Sequence, residues 1–501
     1  MDTLQLLCLA PVILALYIIT QHLLHKLLNF PPTPFPILPF IGHIHFFIKP
    51  EPLHRALSQI SRRHGPLLFL RLGSRPALLV SSPSIAQECL SKNDIVFANR
   101  PNLLNGKHFG YNFTSLAWAS YGDNWRNLRR ISALELLSLH KLNMTSGFRA
   151  DEARSLIRSF LKDDCHSGGG VDMRTRFFEY TYSVVTRMIT GIGRDNAEEA
   201  EGFMGILTEM SEVTFEANVV DFLPFVRWFG FGGVIERKLR LVQEKRDRFM
   251  ENLIKRRRLE KEIVNGGGGQ QRSLIHCLLD LQRAEPEYYT DEMIRNLLLV
   301  LVHGASHTSS TTLEWAFSHL LQNPTILKRA RSDIDNLVGK NRLITESDVS
   351  KIPYLLNIVN ETLRMHPAAP LLTPHVSSKD CTIGGFRVPR GTILLVNAWD
   401  IQNDPRNWDD PEKFVPERFE DFEGGKNEFK YFPFGRGRRA CPGEKLAMHM
   451  VGLALGCLIQ CFEWEKVGEI DMKEGKGIVT PRAQPLRAKC VPRSFVVNLV
   501  S

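Results

Sequence analysis

The sequence predicts a mainly α-helical body with a small β portion, preceded by a single N-terminal transmembrane helix. Three observations predict it. An uncharged, almost wholly apolar run, Leu4–Thr20, opens the chain. Helical patterns dominate the rest, the longest of them beginning at Thr290. Strand signals are short and sparse.

With its flank to Leu28, the opening run is long enough to cross about 30 Å of hydrocarbon. Pro11 would kink a soluble helix but is tolerated in a membrane span. A cleavable signal peptide is the rival reading; it expects a basic leader and a small-x-small cleavage site. Here the leader carries Asp2 and "TQHLLHKLLNF" comes after the run, which favours an uncleaved anchor over residues 1–29. Lys26, Lys49, Arg55, Arg62 and Arg63 lie downstream, so the body is expected on the cytosolic side. The sequons at Asn112, Asn143 and Asn360 would then carry no glycan.

Pro31, Pro32, Pro34, Pro36 and Pro39 come next, ending at Gly42. Proline fixes φ and lacks the N–H, so residues 30–42 read as a stiff extended hinge. Residues 43–501 read as one long body. Its strand signals are "PLLFLRLG", "PALLVSS", "TIGGFRVPRG", "TILLVNA" and the C-terminal "RSFVVNLV". "HSGGGVD" and "VNGGGGQQR" read as exposed glycine-rich loops.

In the longest helix, Thr290 can cap, and Asp291 and Glu292 occupy the first turn, where the helix dipole favours them. The pattern runs to Pro324 and its first half is apolar all round, which means burial. Yet its middle carries His303, Gly304, Ser306, His307, Thr308, Ser309 and Ser310. Buried polar groups need partners or a cavity. Back-bonding of Ser and Thr to the preceding turn is one reading. A lined cavity is the other, and the favoured one.

Composition narrows the class. Of 501 residues, 43% are hydrophobic and 23% charged, as in a globular protein. The net charge of +9 suits an acidic partner or an anionic membrane surface, and the basic residues form no nucleic-acid motif. Nine irregularly spaced cysteines argue against a disulfide framework and for a reducing compartment. Cys457 and Cys461, one turn apart, read as packed apolar side chains.

Cys441 is different. It lies in "FPFGRGRRACPGEKLA", among arginines and glycines, just before a long apolar helix. Pro442 suits a first helical turn. A cysteine at a helix N-terminus beside Arg438 and Arg439 is expected as thiolate. A nucleophile would want a nearby base, and zinc a second CxxC or His pair at short range. A single thiolate on a redox metal fits better, haem iron being the common case. Gly437 and Gly443 would let the backbone approach a flat ring, Phe434 would cover its face, and Arg439 offers a fork for a propionate.

"PFGRGRRACPG" resembles the haem-binding loop of the cytochrome P450 monooxygenases. "ETLR" is similar to a second motif of that family, setting Glu361 and Arg364 one turn apart, and "PERF" brings Arg418 to the same charge cluster. "WRNLR" resembles a third, which puts Trp125 and Arg129 against the propionates; His375 in "TPHVSS" resembles a further propionate position. "PPTPFPILPFIG" is similar to the hinge of membrane-bound members, and the texture of "HPAAPLLTPHVSS" and "GTILLVNAWDI" to plant isoflavone hydroxylases and sesamin-type lignan enzymes. The resemblance implies the cytochrome P450 fold, a haem-binding catalytic domain over residues 43–501 and haem b held by Cys441. It also implies electrons from NADPH through a flavoprotein reductase, and residence in the endoplasmic reticulum membrane.

One motif departs. The family's long helix usually reads small-Gly-x-acid-Thr; aligned from "TLEW", this chain has Gly304, Ala305, Ser306, His307, Thr308. The threonine is kept, the acid is histidine and the glycine has moved one place. The acid–alcohol pair normally delivers protons during oxygen activation, so Thr308 and His307 are the catalytic candidates. His307 titrates near neutral pH and would place a cation where an anion is usual. His303 and His307 are also spaced as in zinc helices, but Gly304 stands where that motif needs glutamate.

The implied activity is hydroxylation or oxidative coupling of a small apolar flavonoid, lignan or terpenoid with dioxygen. Segments such as "NLLNGKHFGYNFTSLAW" and "AAPLLTP", mostly apolar, suit such skeletons. Two alternatives stand beside it: an oxygen-independent isomerase or dehydratase on the same fold, and a non-catalytic haem- or lipid-binding protein.

Overall fold

A computed structural model describes residues 3–47, 51–162, 170–190, 197–263, 273–422, 424–425, 428–475 and 477–500. The longer helices are α1 (Thr3–Leu27), α2 (Leu53–His64), α3 (Asp123–Ser132), α4 (Ser146–Lys162), α5 (Met173–Thr190) and α6 (Ala197–Phe222). They continue with α7 (Phe231–Ile263), α8 (Leu274–Ala284), α9 (Asp291–Gln322), α10 (Pro324–Val338), α11 (Pro353–Met365) and α12 (Glu444–Cys461).

Helix α9 is the spine. Thr290 Oγ1 accepts the Met293 N–H at 3.2 Å, closing the predicted cap, and α5, α7, α8, α10, α11 and α12 all pack against it. Trp315, Phe317, Leu313 and Leu320 are buried in its second half. Thr181 Oγ1 donates to the Ser306 carbonyl at 2.9 Å, fastening α5 to its centre. Buried aromatics such as Phe177, Phe317 and Trp464 interlock around this axis.

The β portion is small. Strands β1 (Leu67–Leu72), β2 (Arg75–Val80), β4 (His375–Val376) and β7 (Ile393–Val396) form one sheet in the order β1-β2-β7-β4. Within it only β2 and β7 run parallel, with Ala77 opposite Ile393. Strands β3 (Val171–Asp172), β8 (Phe462–Lys466) and β9 (Arg487–Pro492) form a second sheet, and β5 (Cys381–Ile383) with β6 (Phe386–Val388) a hairpin.

Two expectations change. "RSFVVNLV" is not a strand: Val496–Val500 is a short helix. The strand is "RAKCVP" just before it, because β9 finds partners on both sides in β3 and β8. The turn after it buries Val496 and Val500 instead, and Arg158 Nε donates to the Val500 carbonyl at 2.7 Å. Of the two glycine-rich segments, residues 166–169 and 264–272 lie outside the described residues, and Val171 and Asp172 belong to β3.

At the N-terminus, α1 exposes Val12, Ile13, Leu16, Ile19, Leu23 and Leu27. Among the described residues no helix is long and apolar enough to cross a membrane, and the first helical side chains of α1 are not described. The proline-rich segment lies along β1: the Phe69 N–H donates to the Pro32 carbonyl at 2.8 Å, and Gly42 bridges to Leu72.

Candidate active site

The loop before α12 is a tight hairpin. The Gly435 N–H donates to the Phe432 carbonyl (2.9 Å), Ala440 N–H to Gly437 (3.1 Å) and Cys441 N–H to Phe434 (2.8 Å). Gly435 and Gly437 take φ of 70° and 74°, a left-handed region that favours glycine. Gly437 is also crowded: a Cβ there would lie 2.4 Å from the Leu90 carbonyl and 2.6 Å from Asp94 Oδ1. So Gly437 serves the close approach of the loop to residues 90–94. Gly443 faces open space, with Cys441 Sγ alone within 4 Å of a built Cβ, at 3.8 Å. Phe434 packs against the main core.

Cys441 itself is exposed, yet densely surrounded by protein. Burial pushes its thiol up; the Gly443 and Glu444 backbone N–H groups and Arg129 pull the other way. This corrects the sequence reading in two respects. Arg438 does not face the sulfur: its backbone N–H and Nη1 bind Asp94, the latter at 2.6 Å, and Nε donates to Tyr121 Oη at 3.1 Å. Pro442 is not in the helix, which begins at Glu444 after the Gly443 cap. The thiolate therefore needs a cation of its own, such as a bound metal.

Three guanidiniums gather beside it. Arg439 lies over the Trp125 ring at 4.5 Å, donates Nε to the Ala98 carbonyl (2.7 Å) and Nη2 to Ala119 (2.5 Å), and leaves Nη1 buried without a partner. Arg100 Nη1 donates to the Thr373 and Pro374 carbonyls at 2.7 and 2.9 Å. Arg129, from α3, is depressed by burial, with Cys441 acting against the shift. Burial pushes Arg100 down to about 9, helped by Arg439, and Arg439 down to about 10, helped by Arg129. His375, on β4, is buried, and its Nδ1 donates to the Phe97 carbonyl at 2.8 Å. Burial and Arg100 hold its basicity well below the usual range. Among the described residues no carboxylate pairs with Arg100, Arg129 or Arg439. A desolvated cationic recess with an orphaned donor fits a guest that brings its own anions, as the two propionates of haem do.

The middle of α9 satisfies both readings of its polar run. Thr308 Oγ1 donates to the Gly304 carbonyl at 2.6 Å, Ser310 to His307 and Thr312 to Thr308. Ser306 and Ser309 hydroxyls are buried without partners. A Cβ on Gly304 would meet nothing within 4 Å, so the shifted glycine opens onto space. The His303 and His307 rings have no hydrogen-bond partner among the described residues. Burial lowers His307 to about 4, helped by Arg174, and His303 to about 3, helped by His307 and Arg246. The expected cation at His307 is thus absent at neutral pH, because desolvation outweighs the ring's intrinsic basicity.

A family model described as cytochrome P450 matches residues 31–486. The chain belongs to the cytochrome P450 family. Cytochrome P450 81Q32 of Catharanthus roseus is 45% identical over 479 residues, covering 94% of this chain and 93% of that protein. Isoflavone 3'-hydroxylase of Medicago truncatula is 44% identical over 490 residues, 95% of each. (+)-Piperitol/(+)-sesamin synthase CYP81Q2 of Sesamum radiatum is 42% identical over 483 residues, 95% of this chain and 93% of that one. A solved zebra fish cytochrome P450 with abiraterone superposes with a TM-score of 0.73 at 25% identity, over 88% of this chain and 100% of its own. As a cytochrome P450 the chain is a haem monooxygenase, an oxidoreductase whose family implies a redox partner and an apolar substrate.

Elsewhere in this cytochrome P450 the charge cluster forms as read. Arg364 Nε and Nη2 grip the two Glu361 oxygens at 2.7 and 2.9 Å, and Arg418 Nε lies 3.3 Å from Oε1. Glu361 and Arg364 are fully buried. Sequence reasoning missed Arg100 in the recess. No motif marks it; the one signal, a lone arginine in "ANRPN", is visible only once β4 brings Thr373 and Pro374 beside it.

Proposed function

We propose that this cytochrome P450 hydroxylates, or oxidatively couples, an apolar plant natural product of the isoflavone or lignan type. The observation that carries the site is the accessible Cys441 sulfur near buried Arg100 and half-buried Arg129 and Arg439, none of which has a carboxylate partner among the described residues. Haem b, when bound, would supply the dioxygen-activating centre, and Cys441 would be the residue that holds its iron. Trp125, Arg129, Arg439 and His375 hold the propionate side, with Arg100 added here. Phe434 backs the loop, Gly437 lets it dock, and Gly443 leaves room beside the sulfur. Glu361, Arg364 and Arg418 keep the surrounding core in register. Thr308 and His307 move protons. Thr308 can turn its hydroxyl from the Gly304 carbonyl toward the chamber. His307, a neutral imidazole, passes a proton by accepting at one ring nitrogen and releasing at the other.

Residues 1–29 act as the membrane anchor, 30–42 as the hinge and 43–501 as the catalytic domain, on the cytosolic side of the endoplasmic reticulum. Electrons come from NADPH through a flavoprotein reductase, although the arginines of "FGRGRR" are engaged, Arg436 with Glu428, Arg438 with Asp94 and Arg439 inward at Trp125. The substrate reading leans on the names of the relatives, which include isoflavone hydroxylases and a sesamin synthase. Hydroxylation takes one dioxygen, two electrons and two protons and leaves one oxygen atom in the product. Ring closure uses the same inputs, removes two hydrogen atoms from the substrate and sends both oxygens to water.

Microsomes carrying this chain and a plant reductase test the proposal. Isoflavone and lignan scaffolds are screened for binding-induced haem spectral shifts, then for products that gain one oxygen or lose two hydrogens. Turnover without NADPH would favour the oxygen-independent reading. Spectral binding with neither product would favour a non-catalytic one.

A further inference from the structure

Helix α7 buries a charge that the proposed chemistry does not use. Arg246, on α7, is only 3% exposed. It is one turn beyond Val242 and two beyond Leu239, both buried in an apolar cluster of α6 and α7 side chains with Leu104 and Phe109. Its guanidinium lies over the Phe109 ring at 5.0 Å. Its one hydrogen bond among the described residues runs from Nη1 to Gln243 Oε1, at 2.9 Å. The neighbouring carboxylate is engaged elsewhere: Asp247 Oδ1 accepts from Tyr111 Oη and from Gln243 Nε2 (2.7 Å), and pairs with Arg295 Nε at 3.3 Å. Among the described residues no carboxylate lies within ion-pair reach of Arg246 itself.

Opposite stands α9. Asn296 and His303 are seven residues apart and so share one helix face. Asn296 is 3% exposed with its Oδ1 unpartnered. The His303 ring is half-buried and unpartnered, beside the open space at Gly304. Burial keeps that ring neutral, and Arg246 acts on it electrostatically. A buried fork with donors to spare thus lies within electrostatic reach of an uncharged imidazole that borders the open space at Gly304.

We propose that Arg246 and His303 form the polar end of the substrate chamber and select aromatic substrates that carry one acidic oxygen, a carboxylate or an acidic phenol. A guanidinium fork is complementary to such an oxygen. Inside a desolvated site the pairing discriminates strongly, because a neutral analogue leaves the cation without its partner. The Phe109 ring under the fork supplies the aromatic surface. This rests on the substrate chamber of the proposed function, but not on the isoflavone class.

The test uses purified haem-loaded protein and two probe pairs, read by Soret shift and by calorimetry. Biphenyl-4-carboxylate is compared with biphenyl-4-carboxamide, and 7-hydroxyisoflavone with 7-methoxyisoflavone. Wild type should bind the carboxylate roughly tenfold or more tighter than the amide. Arg246→Met should abolish that preference while leaving amide binding within about twofold, and Arg246→Lys should retain most of it. His303→Phe, close in volume, should weaken the carboxylate by roughly threefold. The ferrous–CO spectrum reports that each variant is folded. Equal affinity for both biphenyls in wild type, or an undiminished preference in Arg246→Met, overturns the proposal. Failure of both isoflavones to bind while the biphenyl preference follows Arg246 sinks the isoflavone reading and leaves the anchor standing.

Discussion

Replacing Gly437 with alanine probes how the cysteine loop is held. Two costs can be worked from the geometry. At φ 74° a side chain sits in the left-handed region, at about 1–2 kcal/mol. The new Cβ would also stand 2.4 Å from the Leu90 carbonyl and 2.6 Å from Asp94 Oδ1. Backbone cannot yield cheaply, and forced insertion of a methyl group costs about 1–3 kcal/mol. Relief requires the hairpin to lift off residues 90–94, loosening the Asp94 grip on Arg438 as well. The total, about 2–5 kcal/mol, is a large part of an ordinary stability margin. Gly443→Ala is the matched control: φ is −91° and the only neighbour of its Cβ is Sγ of Cys441 at an ordinary 3.8 Å. That change should stay within about 0.5 kcal/mol. Urea unfolding and the ferrous–CO spectrum are measured for both variants. Wild-type stability and haem content in Gly437→Ala would refute the close-approach argument; an equal loss of stability from both variants would refute the contrast, Gly443→Ala being compared on stability alone because it narrows the space beside the sulfur.

Further outcomes are expected. Cys441→Ala should lose the thiolate-type ferrous–CO band, while Cys457→Ala with Cys461→Ala keeps it, since both are buried in the core at 1% and 0% exposure. Thr308→Ala should raise peroxide released per NADPH consumed; if His307 carries the proton path, His307→Ala should do the same and His307→Asp should restore coupling. Unchanged coupling in all three would refute the assignment of the proton path to Thr308 and His307. Burial pushes Glu474 up, but bonds from His366, His54 and Arg55 outweigh it and hold its carboxyl far below its ordinary 4.5. A depressed folded value stabilises the protein above the unfolded value, and that contribution fades as pH falls below about 4.5. Glu474→Gln should therefore be less stable at pH 7, by about 1–3 kcal/mol, with a flatter acid limb in unfolding followed by circular dichroism.

What the sequence made legible was local. Thr290, Asp291 and Glu292 announce the start of α9 because capping is decided within one turn. Glu361 and Arg364 meet because three residues along a helix is one face. "PLLFLRLG" and "TILLVNA" are strands because short apolar runs bounded by turn residues suit a buried sheet, β7 having all four residues buried. What stayed hidden depends on contacts between distant segments. Arg438 is close to the sulfur in sequence, yet Asp94, from far upstream, turns it away. His307 is neutral because helices packed around α9 exclude water from it. "RSFVVNLV" has strand-like composition, but the sheet was already completed by β9.

The parallel pairing of β2 with β7 has a consequence for synthesis. Ala77 emerges from the ribosome long before Ile393, its partner. The anion-binding recess is likewise assembled from Arg100, Arg129, His375 and Arg439, and its loop rests on Leu90 and Asp94. A nascent chain that has made α2 through α9 thus holds an unpaired β2 edge, with Arg100 and Arg129 still waiting for Arg439. The prosthetic group's site comes into being only when the last quarter of the polypeptide is out. Chains cut short before α12 would therefore carry most of the helices and still have nowhere to seat it.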